Sequence, residues 1–245
     1  MLGRAALGFT GLFWMASGLL LMWFTFLGGT RNSNPLNRIY FLEAATSNIP
    51  GAPATSRWTL WNLCPVVDGK NDCGSNTPDF PFDPASHRNF GTDVNVPSRF
   101  IDNHNHYFIT SRFIFPFMLI ALFFGVLSFF TGFFAMCVRV IGHVSGVFAY
   151  IALTFQTIAT AMMTAVFVQG RNAFSRNGQT AKVGPMAFGF MWASVVLLFF
   201  SALCYFWGGS LKRDDGGYSG REQRRRGFFS SQRSSSVRSN KETNV

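Results

Sequence analysis

Four apolar stretches constrain this chain more than anything else in it. Residues 5–27, 113–137, 144–168 and 186–207 are each long enough for a helix to cross about 30 Å of hydrocarbon. In lipid no water satisfies the backbone, so such segments span as helices, whose hydrogen bonds are internal. Composition agrees: 48% of residues are hydrophobic, 13% are charged and 30 are phenylalanine, which suits lipid contact better than a soluble core. The expected fold is an all-α transmembrane, four-helix tetraspan bundle. Residues 1–4 form a short N-terminus, 28–112 a long loop, 138–143 a tight turn, 169–185 a second loop and 208–245 a tail. Arg4 and the small run Ala16-Ser17-Gly18 imitate a cleaved secretory signal, but the apolar run continues well past them, and an uncleaved first helix is expected.

Four spans put both termini on one side. Basic residues near the membrane barely discriminate the two sides, eight on the terminal side (Arg4, Arg139, Lys212, Arg213, Arg221 and Arg224 to Arg226) against seven opposite. Cys64 and Cys73 decide it, because they pair within one loop and a structural disulfide persists on an oxidising side. The long loop is therefore read as external and both termini as cytoplasmic.

All eleven acidic residues lie in the first loop or the tail, and none in a span. Proton-coupled transporters place ionisable groups inside the bundle, so this distribution argues against one. The third span carries Ala152, Gln156, Thr160 and Thr164 at spacing four. Helix packing is the preferred reading of this stripe, and a channel or transporter lining is the rival. Gly142 with Gly146, and Ser128 with Gly132, mark close helix contacts, within the chain or in a homo-oligomer. Pro116 is placed in the first turn of the second span, where a missing amide is tolerated.

The first loop is too long for a plain connector and is read as a small folded domain, β-containing and pinned by a disulfide. Residues 39–42 and 57–61, aromatic and β-branched between breakers, read as strands, with a short helix capped by Asn34 competing for the first. Between Cys64 and Cys73, Asp68-Gly69 signals a turn, so a hairpin would bring the two sulfurs together. Zinc would need two further ligands, and His87, His104 and His106 show no zinc spacing with the cysteines. His104 and His106 with Asp93 or Asp102 lack a nucleophile signature. No catalytic, cofactor or metal site is expected. Trp58 and Trp61, three positions apart, cannot share one side of a regular strand, so one is assigned to the domain's packing and the other to the lipid interface or a partner.

Trp61, Cys64 and Cys73 in the first external loop of a four-helix protein resemble the signature of claudins. A closer resemblance is to the fungal eisosome tetraspanners of the Sur-seven/PalI family. It rests on Arg38-Ile-Tyr-Phe-Leu-Glu43, Gly51-Ala-Pro53, Arg57-Trp58-Thr59, Trp61, Cys64, Cys73, Pro81-Phe-Asp-Pro84 and Ser111-Arg112-Phe113. The resemblance implies a non-enzymatic plasma-membrane protein of eisosome-associated, sterol-rich domains, with roles in membrane organisation, endocytosis and cell-wall integrity. It implies eisosome or cortical scaffold proteins as partners. Arg57, Trp58 and Trp61 enter as structural signature residues, with the disulfide Cys64 to Cys73.

From Lys212 onward the chain is basic and serine-rich and reads as disordered. Arg221, Arg224, Arg225 and Arg226, followed by Phe228 and Phe229, form a cluster suited to anionic membrane lipids, at about 1 kcal/mol per basic side chain near the surface. Phosphorylation of the neighbouring serines would weaken that attachment. Nucleic acid is not an expected partner of a membrane-tethered tail. Cys137 and Cys204 are read as buried thiols, with palmitoylation the alternative.

Overall fold

A computed structural model describes residues 2–135 and 139–210; Cys137 and the tail residues Arg221, Arg224, Arg225, Arg226, Phe228 and Phe229 lie outside the described residues. Four long helices carry the apolar stretches: α1 (Leu2–Leu27), α3 (His104–Ala135), α4 (Arg139–Arg176) and α5 (Pro185–Ser210). Each is apolar and long enough to cross a membrane. They close into a ring in which α1 packs on α3 and α5, and α4 packs on α3 and α5.

Two helices run well past the apolar segments that announce them. At 1.5 Å per residue, α3 is about 48 Å long and α4 about 57 Å, against about 30 Å of hydrocarbon. α3 begins at His104 rather than near Phe113, and α4 continues to Arg176 rather than ending near Val168. Their extra turns carry Tyr107, Ser111 and Phe174, buried against the loop domain, so tertiary packing rather than hydropathy sets the ends. One consequence corrects the reading of Pro116, which lies inside α3 instead of in its first turn.

Helix contacts use small side chains and hydroxyls. Ser128 and Ser145 donate reciprocally to each other's carbonyls, at 2.9 and 2.8 Å, joining α3 to α4, while Ser201 donates to the Gly11 carbonyl at 2.8 Å, joining α5 to α1. Gly132 admits Tyr205 and Leu12, and Gly146 admits Phe206. The stripe on α4 is a packing face: Ala152, Gln156 and Thr160 are fully buried, and Gln156 Nε2 donates to Ser194 Oγ of α5 at 3.0 Å. Thr164 donates to the Thr160 carbonyl of its own helix. Cys204 is half-buried and carries a free thiol.

Between α1 and α3 the chain forms a 3-10 turn (Leu36–Arg38), strands β1 (Leu42–Ala45), β2 (Thr55–Trp58), β3 (Leu63–Val67) and β4 (Lys70–Asn71), and a short helix α2 (Ser98–Asp102). A fifth strand, β5 (Ala181–Val183), comes from the loop between α4 and α5 and pairs antiparallel with β1, giving the order β4-β3-β2-β1-β5. The first two strands sit displaced from residues 39–42 and 57–61. Residues 36–38 take the helical alternative, with Pro35 rather than Asn34 at its start and no side-chain cap. At the other end, Thr59 Oγ1 accepts from the amides of Trp61 and Asn62, which turns the chain sharply after Trp58.

Candidate functional site: the disulfide-pinned domain

The β3–β4 hairpin turns at Asp68 and Gly69, both with positive φ (50° and 72°), the geometry Asp-Gly supplies in a two-residue hairpin turn. That turn brings Cys64 and Cys73 to a Cα separation of 4.5 Å, where they are joined by a disulfide.

One cross-strand row lines up charges of alternating sign. Lys182 of β5 stands opposite Glu43 of β1, Glu43 opposite Arg57 of β2, and Arg57 opposite Cys64 of β3. Arg57 is buried and held from three sides: Nε donates to Glu43 Oε2 at 2.7 Å, and Nη1 donates to the Gly69 carbonyl and Asn71 Oδ1, each at 3.0 Å. Its guanidinium also lies 4.2 Å from the centre of the Tyr40 ring. Asn71 in turn donates to the Ile39 carbonyl at 2.9 Å, so the hairpin, the sheet and the segment leaving α1 meet on one side chain. Lysine, a point donor, would not reproduce this fork. Burial alone would push the Glu43 carboxyl up, yet hydrogen bonds and charge from Lys182 and Arg57 hold it below the usual carboxylate range. Tyr40 is pushed up by burial and by Glu43, and Lys182 is raised by Glu43.

Trp58 lies on the other face of the sheet and is 1% exposed. Its ring meets Phe82 and Phe90 edge-on and Phe174 of α4 at a tilt, with centroids 5.5 to 5.8 Å away, and its Nε1 donates to Asn89 Oδ1 at 2.8 Å. Such aromatic pairs contribute about 0.5–1.5 kcal/mol each beyond area burial. Phe82 is the hub of this core, touching Phe100, Tyr107 and Phe167 as well. Gly170 of α4 makes room for it, since a Cβ there would reach within 2.6 Å of the Phe82 ring. The Phe82 amide donates to Ser111 Oγ of α3 at 3.0 Å.

Trp61 sits in the turn after β2, outside the strand, with a different job. Its Nε1 donates to the Phe26 carbonyl at 2.6 Å and its ring lies edge-on to Phe26 of α1 and Phe115 of α3, with centroids 5.5 Å away in both cases. The two tryptophans therefore divide the domain's work between an internal core and an anchor on the helix ends. Trp61 is half-buried between α1 and α3. Arg112, held to Asp79 by a 2.6 Å contact, makes a second attachment to α3.

The two loops form one folded unit. Gln179 Nε2 donates to Asn48 Oδ1 at 2.8 Å, Asn95 Nδ2 to the Asn48 carbonyl at 2.6 Å, and Asn177 Nδ2 to the Asn95 carbonyl at 3.1 Å. Sequence reasoning missed β5, the role of Phe82 and its seat at Gly170. Pro81-Phe-Asp-Pro84 was a visible marker without an assigned partner, and Gly178 and Gly184 bracket β5 as the only local hint of a strand. Of the first-loop histidines, His104 lies on the first turn of α3 against Asp83, and no group of three or more metal-ligating residues occurs among the described residues.

A ring of four long apolar helices carrying a disulfide-pinned antiparallel sheet defines a tetraspan membrane protein. The chain belongs to the SUR7/PalI family, whose model matches residues 7–204. It is 40% identical over 191 residues to Protein SUR7 of Candida albicans, a match covering 78% of this chain and 69% of the relative. With SUR7 family protein FMP45 of Saccharomyces cerevisiae it shares 36% identity over 195 residues, 78% of this chain and 62% of that one. With the uncharacterized plasma membrane protein YNL194C of the same yeast it shares 31% over 201 residues, 80% of this chain and 66% of that one. The chain thus spans roughly two thirds of the length of these relatives.

Proposed function

We propose that the chain is a non-enzymatic plasma-membrane organiser, presenting its disulfide-pinned domain outside the cell and holding eisosome-associated membrane patches together. Family membership is the observation that carries this reading, and the family is not known to be enzymatic. The architecture supports it: the sheet is tied to three helices through Trp58, Trp61 and Phe82, so a partner bound outside acts on the whole bundle. Effects on endocytosis and cell-wall integrity follow from such patches. On the other side, Arg221, Arg224 to Arg226, Phe228 and Phe229 supply the chemistry for anionic lipid or a cortical scaffold.

The channel alternative draws no support from the α4 stripe, whose Gln156 and Thr160 are buried between helices. Fluorescence recovery of a tagged protein in living cells tests the organiser reading. Slowly exchanging surface patches are expected; uniform, rapidly exchanging signal or a purely internal location overturns it.

A further inference from the structure

A threonine in a membrane helix satisfies its hydroxyl most simply by turning it back onto the carbonyl four residues earlier. Thr10, Thr25, Thr131, Thr154, Thr157 and Thr164 all do so, at 2.7 to 2.9 Å. Thr160 does not. It is completely buried in the bundle, and its Oγ1 has no hydrogen-bond partner in the protein.

Gln156, one turn earlier on the same face of α4, has the same unmet need. Ser194 of α5 commits its proton to the Met191 carbonyl at 2.7 Å, so it can only accept from the glutamine, and Gln156 Nε2 donates to it at 3.0 Å. That fixes the amide's orientation. Oε1 points away from Ser194 and, like the Thr160 hydroxyl, is buried without a protein partner. Side chains four apart on a helix have Cβ atoms about 5–6 Å apart, so one small molecule can touch both groups.

The chemistry of the site selects that molecule. Gln156 stands at the midpoint of residues 144–168, and neither that run nor residues 186–207 of α5 contains an acidic or basic side chain. An ion held there would have no counter-charge. Gln156 and Thr160 are both 0% exposed, which closes the site to lipid. Oε1 needs a donor and the Thr160 hydroxyl needs an acceptor; water supplies both in one molecule, and no bulk solvent reaches this depth to do so instead.

We propose that Gln156 and Thr160 hold one ordered water at the centre of the bundle, which accepts from the Thr160 hydroxyl and donates to Gln156 Oε1. The packing face between α4 and α5 then contains a continuous polar chain, from Thr160 through the water and Gln156 to Ser194 and the Met191 carbonyl. The site is sealed, so the water is a fixed part of the helix contact and opens no path across the membrane.

Solid-state NMR of the full chain in lipid bilayers tests this, with the glutamine side chains labelled with nitrogen-15 and polarisation transferred from water. Gln156→Leu identifies the Gln156 signal by its loss. In the wild-type protein that signal should build up from water, although Gln156 lies about 18 Å from either end of its apolar run. Thr160→Val, which keeps the volume and removes the hydroxyl, should abolish the build-up. Thr157→Val, which removes a hydroxyl tied to the Leu153 carbonyl, should leave it unchanged. Absence of transfer to Gln156 in the wild-type protein, transfer that survives Thr160→Val, or transfer lost equally in Thr157→Val overturns the proposal.

Discussion

The indole of Trp61 donates a 2.6 Å hydrogen bond to the carbonyl of Phe26, in the last turn of α1. The last carbonyls of a helix have no intrahelical partner. Trp61 therefore satisfies a group the helix cannot, and its ring fills the seam between α1 and α3. Trp61→Phe, which keeps the ring and removes the donor, should lower stability by about 1 kcal/mol. Trp61→Ala should cost about 2–3 kcal/mol, and Trp58→Ala, at a fully buried site, about 3–5 kcal/mol. Thermal unfolding in detergent reads all three, and a smaller loss for Trp58→Ala than for Trp61→Ala would contradict the assignment of core and anchor.

The disulfide closes a short hairpin whose ends already pair as strands. Replacing Cys64 and Cys73 together with serine should cost about 2–3 kcal/mol, seen as a lower unfolding midpoint that reductant reproduces in the wild-type protein. If reductant leaves the midpoint unchanged, the bridge does not carry stability.

Glu43 should give the domain an acid-side weakness. Its carboxyl is held below the ordinary value of 4.5, so its contribution is fully present above that value and is lost as pH falls through the folded-state value. Glu43→Gln should lose about 2 kcal/mol at neutral pH, as expected for a charge-assisted hydrogen bond, and should show a flatter decline in acid than the wild-type protein. Unfolding midpoints at pH 3 to 7 compare the two.

Gly184 follows β5 and donates its amide to the Phe41 carbonyl at 3.0 Å. A Cβ there would overlap the Tyr40 backbone carbonyl, which no side-chain rotation relieves. Gly184→Ala should therefore cost about 3 kcal/mol and detach β5, raising hydrogen exchange at residues 181–184. Unchanged exchange would show that the strand pairing tolerates the clash.

Gln156 should prove replaceable. Its Oε1 is buried without a partner, and interhelical hydrogen bonds in membranes contribute only about 0.6 kcal/mol on average. Gln156→Leu should stay within about 1 kcal/mol of wild type in thermal unfolding. A reconstituted ion flux that disappears on this substitution would instead restore the channel reading.

Part of the fold follows from local signals. The four spans follow from sustained hydropathy, because lipid imposes its condition on every residue of a crossing segment. The hairpin of Asp68-Gly69 and the pairing of Cys64 with Cys73 follow from turn chemistry over a few positions. Trp58 and Trp61 do occupy two environments, but not through strand alternation: Trp61 lies in the turn after β2 and packs on the ends of α1 and α3.

The sequence by itself determined the four long apolar helices, the presence of a pinned domain and its charged and aromatic constituents, since each depends on residues near one another in the chain. Only the tertiary structure decided that β5 completes the sheet, that α3 and α4 extend beyond the apolar runs, and that Asp83 is sealed against His104. Each of these rests on a contact across a long interval of sequence. Leu42 meets Val183, and Phe82 meets Phe167 and Gly170, through pairings that no local periodicity encodes. The burial of Asp83 exists only once those partners close around it.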